Sequence, residues 1–360
     1  MLFACEVGRH FDGLVLFGRT EHGDRAADYT LPPDVDLVEL PFYPDLRQLR
    51  RVLASARGTV SGMWRGLDRV DRVWVFGPHP FGLVLVSMAF VRRKRVVLGV
   101  RQDTLAYQRG RMTSRRWLPA LGLWWGLDRT YRLLARRLPI TLVGEEMARG
   151  YPSGSRPPLP MIVSLVPQRE LDAPRPELDY GGPIRLLTVG RFEHEKNPLL
   201  LVEALATLNA DDPDRFGLTW VGRGELVHSV QKRARELHVD HLLEIQGYVP
   251  FGPGLLDLYR RSHAFVHVSL TEGVPQVLVE AMACSTPVVA TAVGGVPGLL
   301  EDGKAGLLVP PDDADAVAGA VRRLVADPNL RRRLVTRAHA AARSLTLEAQ
   351  AERTASFLGA

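Results

Sequence analysis

Short apolar runs recur along the chain, with longer stretches of helical spacing between them. In the first half the runs lie at Leu14–Phe17, Val35–Leu40, Val70–Phe76, Arg95–Val100, Ile140–Val143 and Met161–Val166. Helical spacing falls over Arg47–Gly66, Phe81–Val91 and Trp117–Arg137. In the second half the runs are Ile184–Val189, Leu218–Val221, Leu242–Ile245, Ala264–Val268, Val288–Ala290 and Gly306–Val309, and helical stretches over Ala314–Ala326 and Asn329–Ala342 follow them. Strands that alternate with helices predict an α/β protein with parallel, doubly wound sheets. Tyr151–Pro160 and Gln168–Pro183 are rich in Pro, Gly and charge, and the second reads as a linker. The expected organisation is an N-terminal domain over 1–167, a linker over 168–183, a C-terminal domain over 184–342 and a last helical segment over 343–360.

Composition narrows the class. A chain of 360 residues is long for one core and suits two domains. With 46% apolar and 24% charged residues it is expected to be soluble and globular. Cys5 and Cys284, without metal-like spacing, point to a reducing, cytoplasmic setting rather than a disulfide framework. No apolar run reaches the length of a spanning helix, and Met1–Arg9 does not read as a signal peptide. The net charge of +6 is uneven: residues 1–180 hold 27 basic and 19 acidic side chains, the remainder 19 and 21. Residues 91–137 alone hold 13 basic and 2 acidic residues, interleaved with Trp117, Trp124 and Trp125. That mixture suits peripheral contact with an anionic membrane surface or, equally, an arginine-rich face over a tryptophan-containing core. No nucleic-acid-binding module is recognisable, so no nucleic acid is expected.

Candidate chemistry concentrates at Ser269–Pro287. A buried strand leads into a Gly/Pro loop, and a short helix beginning near Pro275 precedes the next strand. Glu272 on the loop and Glu280 on the helix stand eight positions apart. The helix start between them offers unpaired N–H groups to an anion, with Glu280 roughly 7–8 Å further along. An anion seat flanked by two acceptors suits a nucleoside diphosphate that carries hydroxyl-rich sugars at both ends. A second site follows strand Ile184–Val189: Gly190 allows a tight turn, and Arg191 and Lys196 project as a planar fork and a point charge, a pair suited to a diphosphate. Asp34-Val-Asp36 reads as a turn, and no His/Cys cluster suggests a metal.

Glu272-Gly-Val-Pro-Gln-Val-Leu-Val-Glu280, followed by Ala-Met-Ala and Pro-Val-Val-Ala, resembles the E-x7-E signature of family 4 retaining glycosyltransferases of the GT-B fold. Gly190-Arg191 with Lys196-Asn197 resembles the G-R-x-x-x-x-K-N segment that holds the donor diphosphate in that family. The resemblance is strong over 184–342 and loose over 13–166. It implies two Rossmann-like domains facing each other across a cleft, a nucleotide-diphosphate sugar as donor substrate, no metal or other cofactor, and a glycan or lipid-linked acceptor. The C-terminal helix would cross back to the first domain. Carried onto this chain, Glu272 meets the donor sugar, Glu280 the ribose hydroxyls, and the backbone of Gly273, Val274, Pro275 and Gln276 the sugar and phosphate oxygens. Gly222-Arg223-Gly224 matches the family's G-x-G turn, and the loop of Tyr248 and Val249 would lie beside the nucleobase. Gly294-Gly295 would bring another backbone turn close. On the acceptor side Arg101 and Asp103 stand where many relatives have a histidine; a loop-stabilising ion pair is the other reading, and His79 stays open.

One departure concerns the start. Relatives open with a full strand, a glycine-rich loop and a helix before the strand placed at Leu14, whereas only Met1–Phe11 precedes it here. A truncated start is the expectation. It keeps open a catalytically impaired nucleotide-sugar-binding subunit; a sugar-nucleotide 2-epimerase is the remaining alternative.

Overall fold

The computed structural model describes residues 2–20, 31–44, 46, 48–101, 118–172, 175 and 178–359. The chain divides into two compact units, residues 1–161 with 351–360 and residues 162–350.

In the first unit, helix Leu2–Gly8 precedes strand β1 (Leu14–Thr20), which pairs in parallel with β2 (Val35–Pro41). A separate parallel sheet follows the order β3 (Arg72–Gly77), β4 (Arg95–Val100), β5 (Ile140–Val143), β6 (Leu159–Met161). Helices Leu49–Gly66, Pro80–Val91 and Leu118–Ala135 alternate with these strands. Leu98, Tyr131, Ile140 and Leu142 are fully enclosed in the core, and Phe17 and Val38 of the β1–β2 pair pack against it. The last strand was expected over Met161–Val166 but lies earlier, on the segment read as loop. Pro160 removes a ladder donor, and an edge position such as that of β6 tolerates the loss. Within this unit Arg156 donates to the carbonyl of Phe357 at 3.3 Å, and Arg72 to those of Leu358 and Gly359, all on the final helix Leu347–Gly359.

The second unit is one six-stranded parallel sheet in the order β12 (Leu307–Val309), β11 (Val288–Thr291), β10 (Ala264–His267), β7 (Ile184–Val189), β8 (Phe216–Val221), β9 (Leu243–Gly247). Every residue of β10 and β11 is buried, as continuous apolar runs require of strands covered on both faces. One core lies against helices Pro198–Asn209 and Ala314–Ala326, the other against Pro253–Arg261 and Gln276–Ala283. Chain order runs outward in both directions from β7 and β10, which places the topological switch point between them. Ligands in doubly wound sheets bind outside the strand ends at such a point.

The segment read as a linker is fastened to this unit. Leu171 is buried in its core, and Arg175 donates to the carbonyls of Ser262 at 2.9 Å and of Ser285. The Tyr180 hydroxyl donates to the His263 carbonyl at 3.0 Å.

Candidate active site

The loops leaving β7 and β10 meet at the switch point. After β7 come Gly190 and Arg191, the buried Phe192, and a single 3-10 turn, His194–Lys196. Asn197 takes the left-handed conformation (φ 49°) and Pro198 opens the next helix. That turn directs Lys196 across the switch point, where its Nζ lies 2.5 Å from Glu272 Oε1. His267 closes β10 and Ser269 follows two residues on, so both fall on one side of the extended chain. His267 Nε2 lies 2.9 Å from Glu272 Oε1, and Ser269 Oγ donates to the same oxygen at 2.7 Å. Three donors therefore converge on one carboxylate oxygen. Burial acting alone would raise the Glu272 carboxyl; hydrogen bonding and charge from His267 and Lys196 outweigh it and hold the pKa at about 2. Glu272 is thus an anion across the whole physiological range.

Glu280 has the opposite environment. It sits in the middle of helix Gln276–Ala283, is buried, and accepts from the Tyr259 hydroxyl at 2.8 Å through Oε2. Burial pushes its carboxyl up to about 7, against a smaller lowering by Tyr259. Two acids eight positions apart therefore differ at neutral pH, Glu272 ionised and Glu280 half protonated.

Backbone packing holds the loop that carries Glu272. Gly294 has φ +51°, and a Cβ there would lie 1.8 Å from the Glu272 carbonyl oxygen; the Gly295 N–H donates to the Gly273 carbonyl at 3.0 Å. On the other side of the switch point, a Cβ on Gly222 would lie 1.9 Å from the Gly190 carbonyl oxygen. Glycine is required at both close approaches. Gly294→Ala is expected to cost at least about 3 kcal/mol, because it combines a left-handed backbone with a collision that only loop displacement relieves. Chemical denaturation would measure it; a loss below about 1 kcal/mol would show that the loop adapts freely.

The remaining residues singled out in the sequence lie as follows. Arg191 is exposed and turned to Glu193 (2.6 Å) and Glu195 (2.9 Å), not to Glu272. Val274 packs on the core, Pro275 caps the helix that Gln276 begins, and Gly273 lies on the loop before them. Tyr248 follows Gly247 (φ +69°) and is 62% exposed, with the Arg223 guanidinium 6.0 Å from its ring centre; Val249 packs beneath. In the first unit Arg101 follows β4 and is exposed, while Asp103 lies outside the described residues. His79 caps helix Pro80–Val91, its Nδ1 accepting from the Phe81 N–H at 3.2 Å, and burial with the nearby Arg19 charge lowers its pKa to about 4. Asp36 pairs with Arg69 on the surface. His267, Ser269 and Tyr259 were missed; the alternation H-x-S at the end of a buried strand was the available sign for the first two.

Beside Lys196 and His267 a small concavity of about 10 Å³ opens between the strand ends, lined also by Gly190, Trp220 and Ser269. Residues 172–341 match the family model described as glycosyl transferases group 1. The chain is 36% identical over 156 residues to D-inositol 3-phosphate glycosyltransferase of Kribbella flavida, covering 41% of this chain and 37% of that protein. To the protein of the same name from Frankia alni it is 38% identical over 165 residues, 44% and 40% of the two chains. It thus spans about two-fifths of the length of the curated relatives it matches. Among solved structures, Anabaena Alr3699/HepE in complex with UDP superimposes with a TM-score of 0.68 at 17% identity, over 90% of this chain and 86% of that one. WaaG, a glycosyltransferase involved in lipopolysaccharide biosynthesis, gives 0.68 at 15%, over 99% and 94%. These likenesses show the fold, GT-B.

Proposed function

We propose that the chain, whose residues 172–341 match the family described as glycosyl transferases group 1, is a retaining glycosyltransferase. It moves a sugar from a nucleotide-diphosphate donor to a hydroxyl of a glycan or lipid-linked acceptor, without a metal. The observation that carries this reading is the convergence of Lys196, His267 and Ser269 on Glu272 at the switch point.

Breaking the bond between the anomeric carbon and the β-phosphate oxygen places negative charge on the phosphate and positive charge on the sugar. Lys196 and the N–H groups at the start of helix Gln276–Ala283 receive the first; they are fixed before reaction and lose little to reorganisation, and Arg191 joins them by turning from Glu193 and Glu195. The Glu272 anion faces the second. Its three donors all take Oε1, so Oε2 is the atom offered to a donor-sugar hydroxyl. The acceptor oxygen attacks from the face that the phosphate leaves, and its proton passes to the departing phosphate oxygen. Glu280 accepts from the ribose hydroxyls, and Tyr248, with Val249 beneath it, flanks the base. Arg101 and Asp103 serve the acceptor side. The acceptor in the relatives' name, an inositol phosphate, is a polar head of hydroxyls and phosphate, and an acceptor of that class is expected here. Among the described residues no helix is long and apolar enough to cross a membrane. Residues 91–137 would rest on the anionic inner face of one, with the free Cys5 and Cys284 in a reducing cytoplasm.

Calorimetric titration with UDP, GDP, ADP and TDP tests the reading. One nucleotide, UDP first in view of the HepE complex, is expected to bind selectively. Tyr248→Ala should weaken it about tenfold, the usual worth of a base stacked on an aromatic ring. Binding of none of the four would remove the transferase assignment.

A further inference from the structure

We propose that the helix Leu118–Ala135 carries a seat for the phosphate of an anionic phospholipid headgroup, formed by Arg129, Arg132 and Arg136. The proposal rests on the membrane reading above and assigns it to particular side chains. Spacings of three and four place Arg129, Arg132 and, one residue past the helix end, Arg136 on a single face. Together with Leu133 and the turn Gly150–Pro152 they line an open recess of about 340 Å³.

The three arginines differ in a way that suits a site. Arg132 is held rigid: its Nε donates to Asp128 at 2.6 Å, another nitrogen bonds the Gly150 carbonyl, and its plane lies 4.4 Å from the Tyr151 ring centre. The Tyr151 hydroxyl donates to the second Asp128 oxygen at 3.1 Å. Both oxygens of the Asp128 carboxylate are therefore committed to the recess wall. Arg129 and Arg136 are exposed, and neither makes an ion pair or side-chain hydrogen bond among the described residues. Two uncompensated guanidinium forks flanking a rigid third suit a phosphate, which accepts paired N–H bonds.

What else stands on this face indicates where the phosphate comes from. Trp125, one turn before Arg129, is 60% exposed, and Leu133 at the recess edge is 49% exposed. A tryptophan and a leucine presented to solvent beside arginines form an interfacial surface: the rings and methyls enter the headgroup boundary while the cations stay at phosphate level. A free phosphate would have no use for either. The recess lies at the chain end of β5 opposite to His79 and Arg101, since helix Leu118–Ala135 ends where β5 begins, so the site is separate from the acceptor-side residues.

The test is sedimentation of the full chain with phosphatidylcholine vesicles, with and without phosphatidylglycerol, at about 0.1 M salt. The parent is expected to bind only the anionic vesicles. Arg129→Gln with Arg136→Gln should weaken that binding on the order of tenfold or more, and Trp125→Ser should weaken it separately. Arg50→Gln with Arg51→Gln, an equal charge change on an exposed part of another helix, should leave it nearly intact. Inorganic phosphate at millimolar concentration should not displace the vesicles. Unchanged circular dichroism and thermal midpoint in every variant report folding, and unchanged UDP affinity keeps the donor-site reading apart from this one. If the parent ignores anionic vesicles, both the membrane reading and the seat fall. Binding by the parent with equal loss in both double variants, or with none in Arg129/Arg136, overturns the seat alone. Displacement by inorganic phosphate would make it a soluble-anion site and overturn the lipid assignment.

Discussion

Replacing Lys196 by alanine is expected to lower kcat roughly a hundred- to a thousandfold, the range found when one preorganised donor to a developing charge is removed. Two losses combine. The leaving phosphate loses its nearest point charge, and the buried Glu272 anion loses one of the three donors on Oε1. Lys196→Arg should recover only part of the rate, because a planar fork cannot place one charge between a carboxylate and a phosphate as an ammonium does. UDP affinity should fall as well, by about tenfold or more, since a charge-assisted contact to phosphate is removed. Stability supplies an independent readout. The Glu272 carboxyl, held at about 2 in the fold, stabilises the protein above the unfolded carboxylate range and loses that contribution as pH falls toward 2. Without Lys196 its pKa rises, so acid unfolding should begin at a higher pH. Steady-state donor turnover and an acid titration followed by circular dichroism measure the two effects. A variant that keeps its rate while its acid limb shifts would make Lys196 a partner of Glu272 only, with no part in leaving-group stabilisation.

Glu272 and Lys196 were both singled out in the sequence, but their contact was not legible there. Each sits in a local pattern, a loop after a buried strand, that spacing alone marks out. Their meeting depends on β7 lying beside β10, a pairing between segments nearly eighty residues apart that no local periodicity encodes. His267 and Ser269 were hidden for the same reason: on a strand end, a histidine and a serine are read as core and loop until the element opposite is known. Arg191 shows the converse, a residue whose type suggested the diphosphate but whose side chain pairs with its neighbours Glu193 and Glu195. At 168–183 Pro and charge suggested a linker, and Arg175 there donates to the carbonyls of Ser262 and Ser285. Composition was most direct at strands such as β10 and β11, where burial on both faces leaves no polar alternation to misread.

Glu280 should make nucleotide binding depend on pH in a direction fixed by its burial. At about 7 its carboxyl is half protonated in neutral solution. Ribose hydroxyls donate to the carboxylate form, so binding expels a proton, and affinity for UDP is expected to rise by up to tenfold per pH unit below 7 and to level off above it. The phosphate's own second ionisation, near 6, affects parent and variant alike. Glu280→Gln therefore isolates the protein group: it should bind more weakly at pH 8, and its affinity should lack the extra slope. The same shift governs stability with the opposite sense to Glu272. Between the unfolded carboxyl range and about 7 the folded chain holds a proton that the unfolded chain has released, so stability falls as pH rises through that window. A raise from 4.5 to about 7 corresponds to a loss of about 3 kcal/mol across it. Glu280→Gln, with no charge to bury and an acceptor still available to the Tyr259 hydroxyl, should remove that fall and be more stable than the parent at pH 8. Such a gain, set against weaker nucleotide binding, is the signature of a buried acid retained for its ligand. Calorimetric titrations of UDP at pH 6, 7 and 8, with denaturant unfolding at the same values, decide the matter. Parallel affinity profiles for parent and variant would exclude Glu280 as the ribose acceptor, and parallel stability profiles would place its pKa in the ordinary range.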